Sequence, residues 1–369
     1  MTEVTADEKF MKQCFSLALK AEGRTAPNPI VGAIVVQNDG TVVGSGYHPE
    51  HGRPHAEVFA LDEAGDRARG STIYVSLEPC CHHGRTPPCT DKVIASGVKR
   101  VVAAMTDPNP KVGGNGFEKL RAAGIEVVTG VLESEAQWLN RAFVKTIKTG
   151  MPWVVLKIAA TLDGRIADRK NKSKWITGPE ARRYVHELRN RLDCVLVGSN
   201  TARIDDPELN VRDLPEFRHP KRAVIDTTLS LAPTARLFDC GTGGDTIVYC
   251  SEMANSKPGY PTNVHLVSIR NSSSPGSSRL DLQALLEDLR KRGVSSVLCE
   301  GGGRLAGSLV DQDLVDEIIW IVSPSILGDV ESVAGVCMEK EIALPDMKRY
   351  RMLESIRLGD DIAIHLTRQ

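Results

Sequence analysis

His55-Ala56-Glu57 opens, and Pro79-Cys80-Cys81-His82-His83-Gly84-Arg85-Thr86-Pro87-Pro88-Cys89 closes, the stretch on which the first half of the chain turns. One histidine and two cysteines offer three ligands of the kind zinc takes. Three protein ligands leave a fourth tetrahedral position open, as catalytic zinc sites do. Glu57 is then a carboxylate outside the ligand set, available to carry protons. A helix is expected over His55 to Ala64, with His55 and Glu57 in its first turn, where the helix N-terminus favours negative charge. Cys80 follows a strand expected over Thr72 to Leu77, and Cys89 starts a helix running to Ser96. The competing reading is a structural zinc with Cys81 as fourth ligand, or no metal. It leaves Glu57 without a task, and adjacent Cys80 and Cys81 reach one ion awkwardly.

The pairing of H-x-E with P-C is the signature of zinc-dependent hydrolysis of amino groups on nucleobase rings. In such sites the second cysteine often follows two residues after the first. Here eight residues separate them, Cys-His-His-Gly-Arg-Thr-Pro-Pro. His82, His83 and Arg85 bring donors and positive charge to the zinc loop, Thr86 adds a hydroxyl, and Pro87 and Pro88 stiffen it. That chemistry suits a phosphorylated substrate. Asn28, between Pro27 and Pro29, is placed to read a base edge, unless it is a simple turn residue. His48 is a candidate pocket residue, or an ordinary loop histidine.

With 369 residues the chain is long enough for two domains, each with its own core. Hydrophobic residues at 41% and charged residues at 25% are the balance of a globular protein. The net charge of −1 shows no basic excess of the kind that grips nucleic acid. The polar N-terminus has no signal-peptide core, and no run of about 18 apolar residues is present to span a membrane. Nine cysteines, an odd count, read as reduced thiols in a cytoplasmic protein.

Strand and helix signals alternate along the whole chain, the pattern of an α/β protein. A helix is expected over Asp7 to Glu22, a hairpin over Ile30 to Gly46, and strands over Arg100 to Ala104 and Ile125 to Val128. Glu133 to Lys148 reads as one helical connector, broken by Gly150-Met151-Pro152. A second series begins at Trp153, with a helix over Gly178 to Arg191 and strands over Asp193 to Val197, Arg222 to Asp226, Thr246 to Cys250 and Val264 to Val267. Val294 to Cys299 is a strand leading into Glu300-Gly301-Gly302-Gly303 and a helix. This glycine-rich turn lacks the G-x-G-x-x-G fingerprint, yet its backbone N–H groups form a phosphate cradle in principle. Residues 271–278 form a polar, serine-rich loop.

Thr25-Ala26-Pro27-Asn28-Pro29-Ile30-Val31-Gly32-Ala33, Gly44-Ser45-Gly46-Tyr47-His48, His55-Ala56-Glu57-Val58 and the insert up to Cys89 together resemble the deaminase half of the bifunctional riboflavin-biosynthesis deaminase/reductase. Ala33 departs from the pattern, a cysteine being common there. Lys157 to Arg165, Ser173-Lys174-Trp175-Ile176-Thr177, Arg189, Gly198-Ser199-Asn200-Thr201, Asp205 to Arg212 and Glu300 to Ser308 resemble its reductase half. The resemblance implies a cytidine-deaminase-like three-layer α/β/α domain over residues 1–147. A dihydrofolate-reductase-like α/β domain over residues 148–369 follows. It implies one zinc on His55, Cys80 and Cys89, with Glu57 as the catalytic proton shuttle. Asn28, His48 and His82 stay candidate substrate contacts.

For the second domain it implies NADPH held by Ala159, Trp175, Thr201, Asp205 and Thr227. Gly302, Gly303, Arg304, Leu305, Ala306, Gly307 and Ser308 complete that set. Ser173, Arg189, Leu209, Arg212 and Glu300 would contact substrate. Arg189 and Arg212 are suited to fork around a sugar phosphate, although Arg189 also reads as a helix salt bridge. Trp175 reads as a pocket wall or as core. Glu300 lies where open α/β sheets bind ligands, and Lys157, a charge in an apolar strand, is expected to face the substrate. The implied reactions are hydrolytic deamination of 2,5-diamino-6-ribosylamino-4(3H)-pyrimidinone 5′-phosphate by a zinc-activated water, then reduction of its ribosyl group. The implied partner is that small phosphorylated pyrimidine, with neither nucleic acid nor membrane, in a homo-oligomer. A deaminase of another base with a structural second domain, and a metal-binding scaffold without activity, are the rival readings.

Overall fold

The computed structural model describes residues 4–83, 87–110, 112–254, 259–272 and 279–368. Gly84, Arg85 and Thr86 of the insert, and residues 273–278 of the serine-rich stretch, lie outside the described residues. The chain divides into two compact units, Met1–Met151 and Pro152–Gln369, the break falling just after the expected 147/148.

The first unit opens with α1 (Ala6–Leu19), whose start is closed by a capping box between Thr5 and Glu8. Its sheet contains β1 (Gly32–Val36), β2 (Val42–Tyr47), β3 (Thr72–Val75), β4 (Arg100–Ala103) and β5 (Glu126–Thr129), in the order β2-β1-β3-β4-β5. β1 is antiparallel to both neighbours, and β3, β4 and β5 run parallel. The helices are α2 (Ala56–Ala64), α3 (Cys89–Ser96), α4 (Asn115–Ala122), α5 (Glu133–Leu139) and α6 (Arg141–Thr149). The single connector expected over Glu133 to Lys148 is two helices, because the chain kinks at Asn140, φ −101° and ψ 22°.

Glycines set the layering. A Cβ at Gly32 would stand 2.0 Å from the Cys14 carbonyl oxygen of α1, and one at Gly44 2.0 Å from the Ala60 carbonyl oxygen of α2. Gly44 pairs with Val35 across the hairpin and Gly46 with Ala33. Successive strand residues face opposite ways, so Gly32 points to one face of the sheet and the Gly44 and Gly46 pair to the other. α1 and α2 therefore cover opposite faces, which makes three layers. Met11, Cys14, Ile34, Val35, Ala60, Ile73 and Val101 fill the space between them.

The second unit holds β6 (Trp153–Thr161), β7 (Arg165–Ala167), α7 (Pro179–Arg191), β8 (Cys194–Gly198), α8 (Ser199–Asp205), β9 (Lys221–Ile225), β10 (Thr246–Ser251), β11 (Val264–Ile269), α9 (Leu282–Lys291), β12 (Ser296–Cys299), α10 (Gly303–Asp311), β13 (Glu317–Ser323), β14 (Val333–Ala334), β15 (Tyr350–Leu358) and β16 (Asp361–Arg368). Nine of these strands form one sheet, β11-β10-β9-β8-β12-β6-β13-β16-β15. From β11 to β13 the neighbours are parallel; β16 and β15 close that edge antiparallel. β7 and β14 pair separately. α10 lies against the segment after β14: a Cβ at Gly303 would stand 2.1 Å from the Ala334 carbonyl oxygen, and one at Gly307 1.9 Å from that of Cys337. Among the described residues no helix is long and apolar enough to cross a membrane.

A methyl group at Gly44 would meet the Ala60 carbonyl oxygen, the Ala64 nitrogen and the Ala64 Cβ, none of which can swing aside. Gly44→Ala should therefore destabilise the first unit by about 1–3 kcal/mol and lower its unfolding midpoint in urea while leaving that of the second unit in place. An unchanged midpoint would mean that α2 can back away from the sheet.

Candidate active sites

The close approach of α2 to β2 fixes where α2 begins. His55 is its N-cap, in extended conformation at φ −77° and ψ 168°, rather than a residue of the first turn, and Glu57 lies just inside the helix. Cys89 begins α3. These two helix starts and Cys80 converge: His55 Nδ1 lies 3.2 Å from Cys89 Sγ and 3.5 Å from Cys80 Sγ. The Cys89 backbone N–H donates to Cys80 Sγ at 3.4 Å. The three donor atoms all lie within 4.8 Å of one another, a set and spacing that suit zinc. The Cys80 thiol is drawn down, first by its hydrogen bond with Cys89 and then by that with His55, against burial, while the same hydrogen bond raises Cys89. A thiol so lowered is a ready thiolate ligand.

Glu57 is buried, at 3% exposure, and its Oε2 has no hydrogen-bond partner among the described residues. A buried carboxylate oxygen left without a donor is costly, and burial raises its carboxyl above the ordinary 4.5. That combination belongs to a group waiting for something to bind. Glu57, His55 and Cys80 line a cavity of about 310 Å³, together with Asn28, His48 and His82.

His48 and Asn28 fix one another. His48 Nδ1 faces the Pro54 carbonyl at 3.1 Å, which only accepts, so the proton sits on Nδ1. Its Nε2 then accepts from Asn28 Nδ2 at 3.3 Å. The amide of Asn28 is thus oriented, with Oδ1 left to accept from a ligand. Burial, before any other influence, lowers the His48 pKa and keeps the ring neutral.

Glu78 has a role that sequence reading did not identify. Buried at 3% exposure, it accepts from the backbone N–H groups of Asp107 (3.1 Å), Gly114 (2.9 Å) and Gly116 (2.9 Å). It thereby folds the turn-rich stretch before α4 over the cavity, where Asp107, Asn109 and Val112 form part of the wall. The glycines and prolines of that stretch signalled a loop; nothing in the sequence tied it to Glu78.

In the second unit the candidate cofactor residues follow the carboxyl ends of neighbouring parallel strands, the usual ligand edge of such sheets. Thr201 and Asp205 lie on α8 after β8, Thr227 follows β9, and Gly302 to Ser308 follow β12. Thr201 Oγ1 lies 3.5 Å from where a Cβ on Gly302 would stand. Gly302 is the extended N-cap of α10 and supplies no side chain to the first N–H groups of that helix. The missing Cβ and the open helix end fit a phosphate group. Gly303 and Gly307, by contrast, face the main chain at Ala334 and Cys337, and their lack of a side chain serves packing. Ser308 Oγ accepts from Arg279 Nη1 at 3.2 Å.

Ser173 and Asp205 meet in a 2.7 Å hydrogen bond. Trp175 is 68% exposed and carries Arg182 over its ring at 4.6 Å, so it is no part of the core. Arg189 does not hold an open fork. Its Nε and Nη2 reach the two oxygens of Glu300 at 2.6 and 2.9 Å, and Nη1 donates to the Asn210 carbonyl. Burial favours the neutral form of Glu300, but the Arg189 charge and hydrogen bonds, then Lys157, hold its carboxyl below 4.5. Lys157, on β6, is lowered by burial against the attraction of Glu300. Leu209 is buried, whereas Arg212 is half exposed and bonded to Glu208 and Asn210. Ala159 lies on β6, opposite Ile321.

Residues 4–105 match the cytidine and deoxycytidylate deaminase zinc-binding region, and residues 152–364 match the RibD C-terminal domain. The riboflavin biosynthesis protein RibD of Escherichia coli is 41% identical over 98% of this chain and 99% of its own. That of Aquifex aeolicus is 39% identical over 98% of each. Among solved structures, RibD from Acinetobacter baumannii superimposes with a TM-score of 0.89 at 38% identity, all of both chains being covered. A diaminohydroxyphosphoribosylaminopyrimidine deaminase/5-amino-6-(5-phosphoribosylamino)uracil reductase from Thermotoga maritima does so at 0.87 and 37% identity, over 99% of each chain.

An amide at position 78 would turn one acceptor into a donor facing N–H groups. Glu78→Gln should release the loop at a cost of about 1.5–3 kcal/mol per lost charged hydrogen bond. Hydrogen exchange at the Gly114 and Gly116 amides reads this directly; exchange as slow as in the parent protein would contradict the tether.

Proposed function

The chain belongs to the RibD family of riboflavin-biosynthesis proteins, and from that premise we propose which of its side chains carry out the two reactions. It is a bifunctional enzyme, a zinc-dependent deaminase followed by an NADPH-dependent reductase. The substrate is taken to be 2,5-diamino-6-ribosylamino-4(3H)-pyrimidinone 5′-phosphate, and the final product 5-amino-6-(5-phosphoribitylamino)uracil. The observation that carries the deaminase assignment is the unpartnered Glu57 Oε2 beside a His-Cys-Cys donor set, with Glu57, His55 and Cys80 lining one cavity.

His55, Cys80 and Cys89 would hold the zinc, which supplies Lewis acidity that brings the pKa of water towards neutrality. Asn28, oriented by His48, meets the pyrimidine edge, and His82 stands at the cavity wall. Glu57 Oε2 takes a proton from the attacking water and delivers it to the ring nitrogen. It then passes the second proton to the departing amine, so that water replaces the amino group and ammonia leaves. Burial suits Glu57 to this, since a raised pKa makes the carboxylate a better base, and the acid it becomes is still strong enough to return the proton.

In the second unit NADPH supplies hydride for C1′ of the ribosyl group. The open N-terminus of α10 with Thr201 would receive its phosphates, and Ala159, Trp175, Asp205 and Thr227 complete its surroundings. Arg189 acts through Glu300, holding it ionised and aimed, while Lys157, Ser173, Leu209 and Arg212 face the sugar phosphate. A cytoplasmic homo-oligomer follows from the family resemblance alone.

Two outcomes test this. Glu57→Gln should lower ammonia release by about 10²–10⁴-fold with zinc still bound and with NADPH oxidation intact when the deaminated intermediate is supplied. A zinc chelator should abolish ammonia release and spare that same oxidation. NADPH oxidation before deamination would reverse the proposed order.

Glu300→Gln should cost the second unit about 3–5 kcal/mol, the usual penalty for stranding one partner of a buried pair. It should impair the reductase and leave ammonia release unchanged. Because the folded pKa of Glu300 is depressed, its stabilisation is complete above pH 4.5 and is lost as pH falls through the lowered value. Acid unfolding of the parent enzyme should show this loss, and the Glu300→Gln variant should not.

A further inference from the structure

We propose that Asn140 is a positioning residue of the deaminase site: its side-chain amide clamps the main chain of Ile30 and so sets Asn28, with the His48 that orients it, against the pyrimidine. The proposal rests on the deaminase reading of the cavity. Asn140 is 3% exposed and is not among the residues that line the cavity. Its Oδ1 accepts from the Ile30 N–H at 3.0 Å and its Nδ2 donates to the Ile30 carbonyl at 3.0 Å. One amide thus satisfies both polar groups of one residue, as a neighbouring strand would.

Ile30 needs such a partner. It is buried at 8% exposure and precedes β1, whose ladder with β2 starts at Gly32. Buried main-chain groups left unpaired are costly. On one side of Ile30 the chain turns at Asn28, whose N–H reaches the Thr25 carbonyl at 2.8 Å and whose carbonyl accepts from Thr25 Oγ1 at 3.0 Å. On the other side the Val31 carbonyl accepts from the His48 N–H at 2.9 Å. Asn28, Pro29, Val31 and His48 all line the cavity. The clamp therefore stands midway along the stretch that carries the base-reading amide and the histidine that orients it. Phe143, one turn further on in α6, lines the same cavity.

The chemistry selects asparagine. Aspartate keeps an acceptor for the Ile30 N–H but sets a carboxylate oxygen against the Ile30 carbonyl, and alanine offers neither group. The kink between α5 and α6 coincides with the residue that turns its amide to Ile30.

The test uses the full-length, zinc-loaded enzyme as Asn140→Asp, Asn140→Ala, Asn28→Ala and the Asn28→Ala/Asn140→Ala double variant. Ammonia release gives KM and kcat; zinc per chain and reduction of the supplied deaminated intermediate are measured on the same samples. The clamp requires kcat/KM for deamination to fall by up to about a hundredfold, chiefly through KM, with zinc content and reductase rate held. It also requires the double variant to be no worse than Asn28→Ala, since both changes act on one contact. Three results overturn it: an unchanged KM in Asn140→Asp, zinc lost from both single Asn140 variants, or losses that multiply in the double variant. If Asn28→Ala itself leaves KM unchanged, the reading of the cavity fails and takes the clamp with it. An impaired Asn28→Ala beside an unaffected Asn140→Asp removes the clamp alone.

Discussion

Both candidate sites depend on backbone packed against backbone at positions where a single methyl group would not fit. Gly44 and Gly46 let α2 settle onto β2, and that contact decides where His55 and Glu57 stand. Gly303 and Gly307 do the same for α10 against Ala334 and Cys337, and so decide where the open helix end at Gly302 stands. Helix starts are poor places to anchor chemistry unless something fixes them, because their first N–H groups lack partners within the helix. Close packing of this kind supplies that fixity through shape, leaving the polar groups available.

Glu57, Glu78 and Glu300, all with little exposure, show how differently the protein treats the same functional group. Glu300 is neutralised by the Arg189 fork and held ionised. Glu78 is surrounded by main-chain donors and becomes a structural pin. Glu57 keeps one oxygen without any partner among the described residues and is pushed towards its protonated form. Stability would favour the first two arrangements everywhere. The third fits the proton shuttle proposed for Glu57.

Much of this was legible in the residues themselves. Types and spacing of His55, Cys80 and Cys89 pointed to the candidate metal cluster, because ligand chemistry limits which side chains can share an ion. Alternating strand and helix signals indicated the α/β architecture of both units. What stayed hidden was long-range and depended on side-chain direction. Glu133 to Lys148 has a continuous helical pattern, and only the contact of Asn140 with a residue 110 positions earlier reveals the kink. The fork of Arg189 was expected at a phosphate, since arginine suits both partners, and sequence alone does not say that Glu300 reaches it first. β7 and α8 are too short, at three and seven residues, to impose a period on the sequence.

The pin at Glu78 has a consequence for how such an enzyme changes over time. It grips the loop by the N–H groups of Asp107, Gly114 and Gly116, and two of these three donors need glycine: Gly114 sits at φ +85°, and a Cβ at Gly116 would stand 2.2 Å from the Pro79 carbonyl oxygen. Asn109 contributes to the cavity wall, and its main chain closes the turn beside it, its carbonyl accepting from the N–H groups of Val112 and Gly113. The fold has in this way tied the frame of the cavity to two glycines that neither the grip nor the packing around them lets it replace.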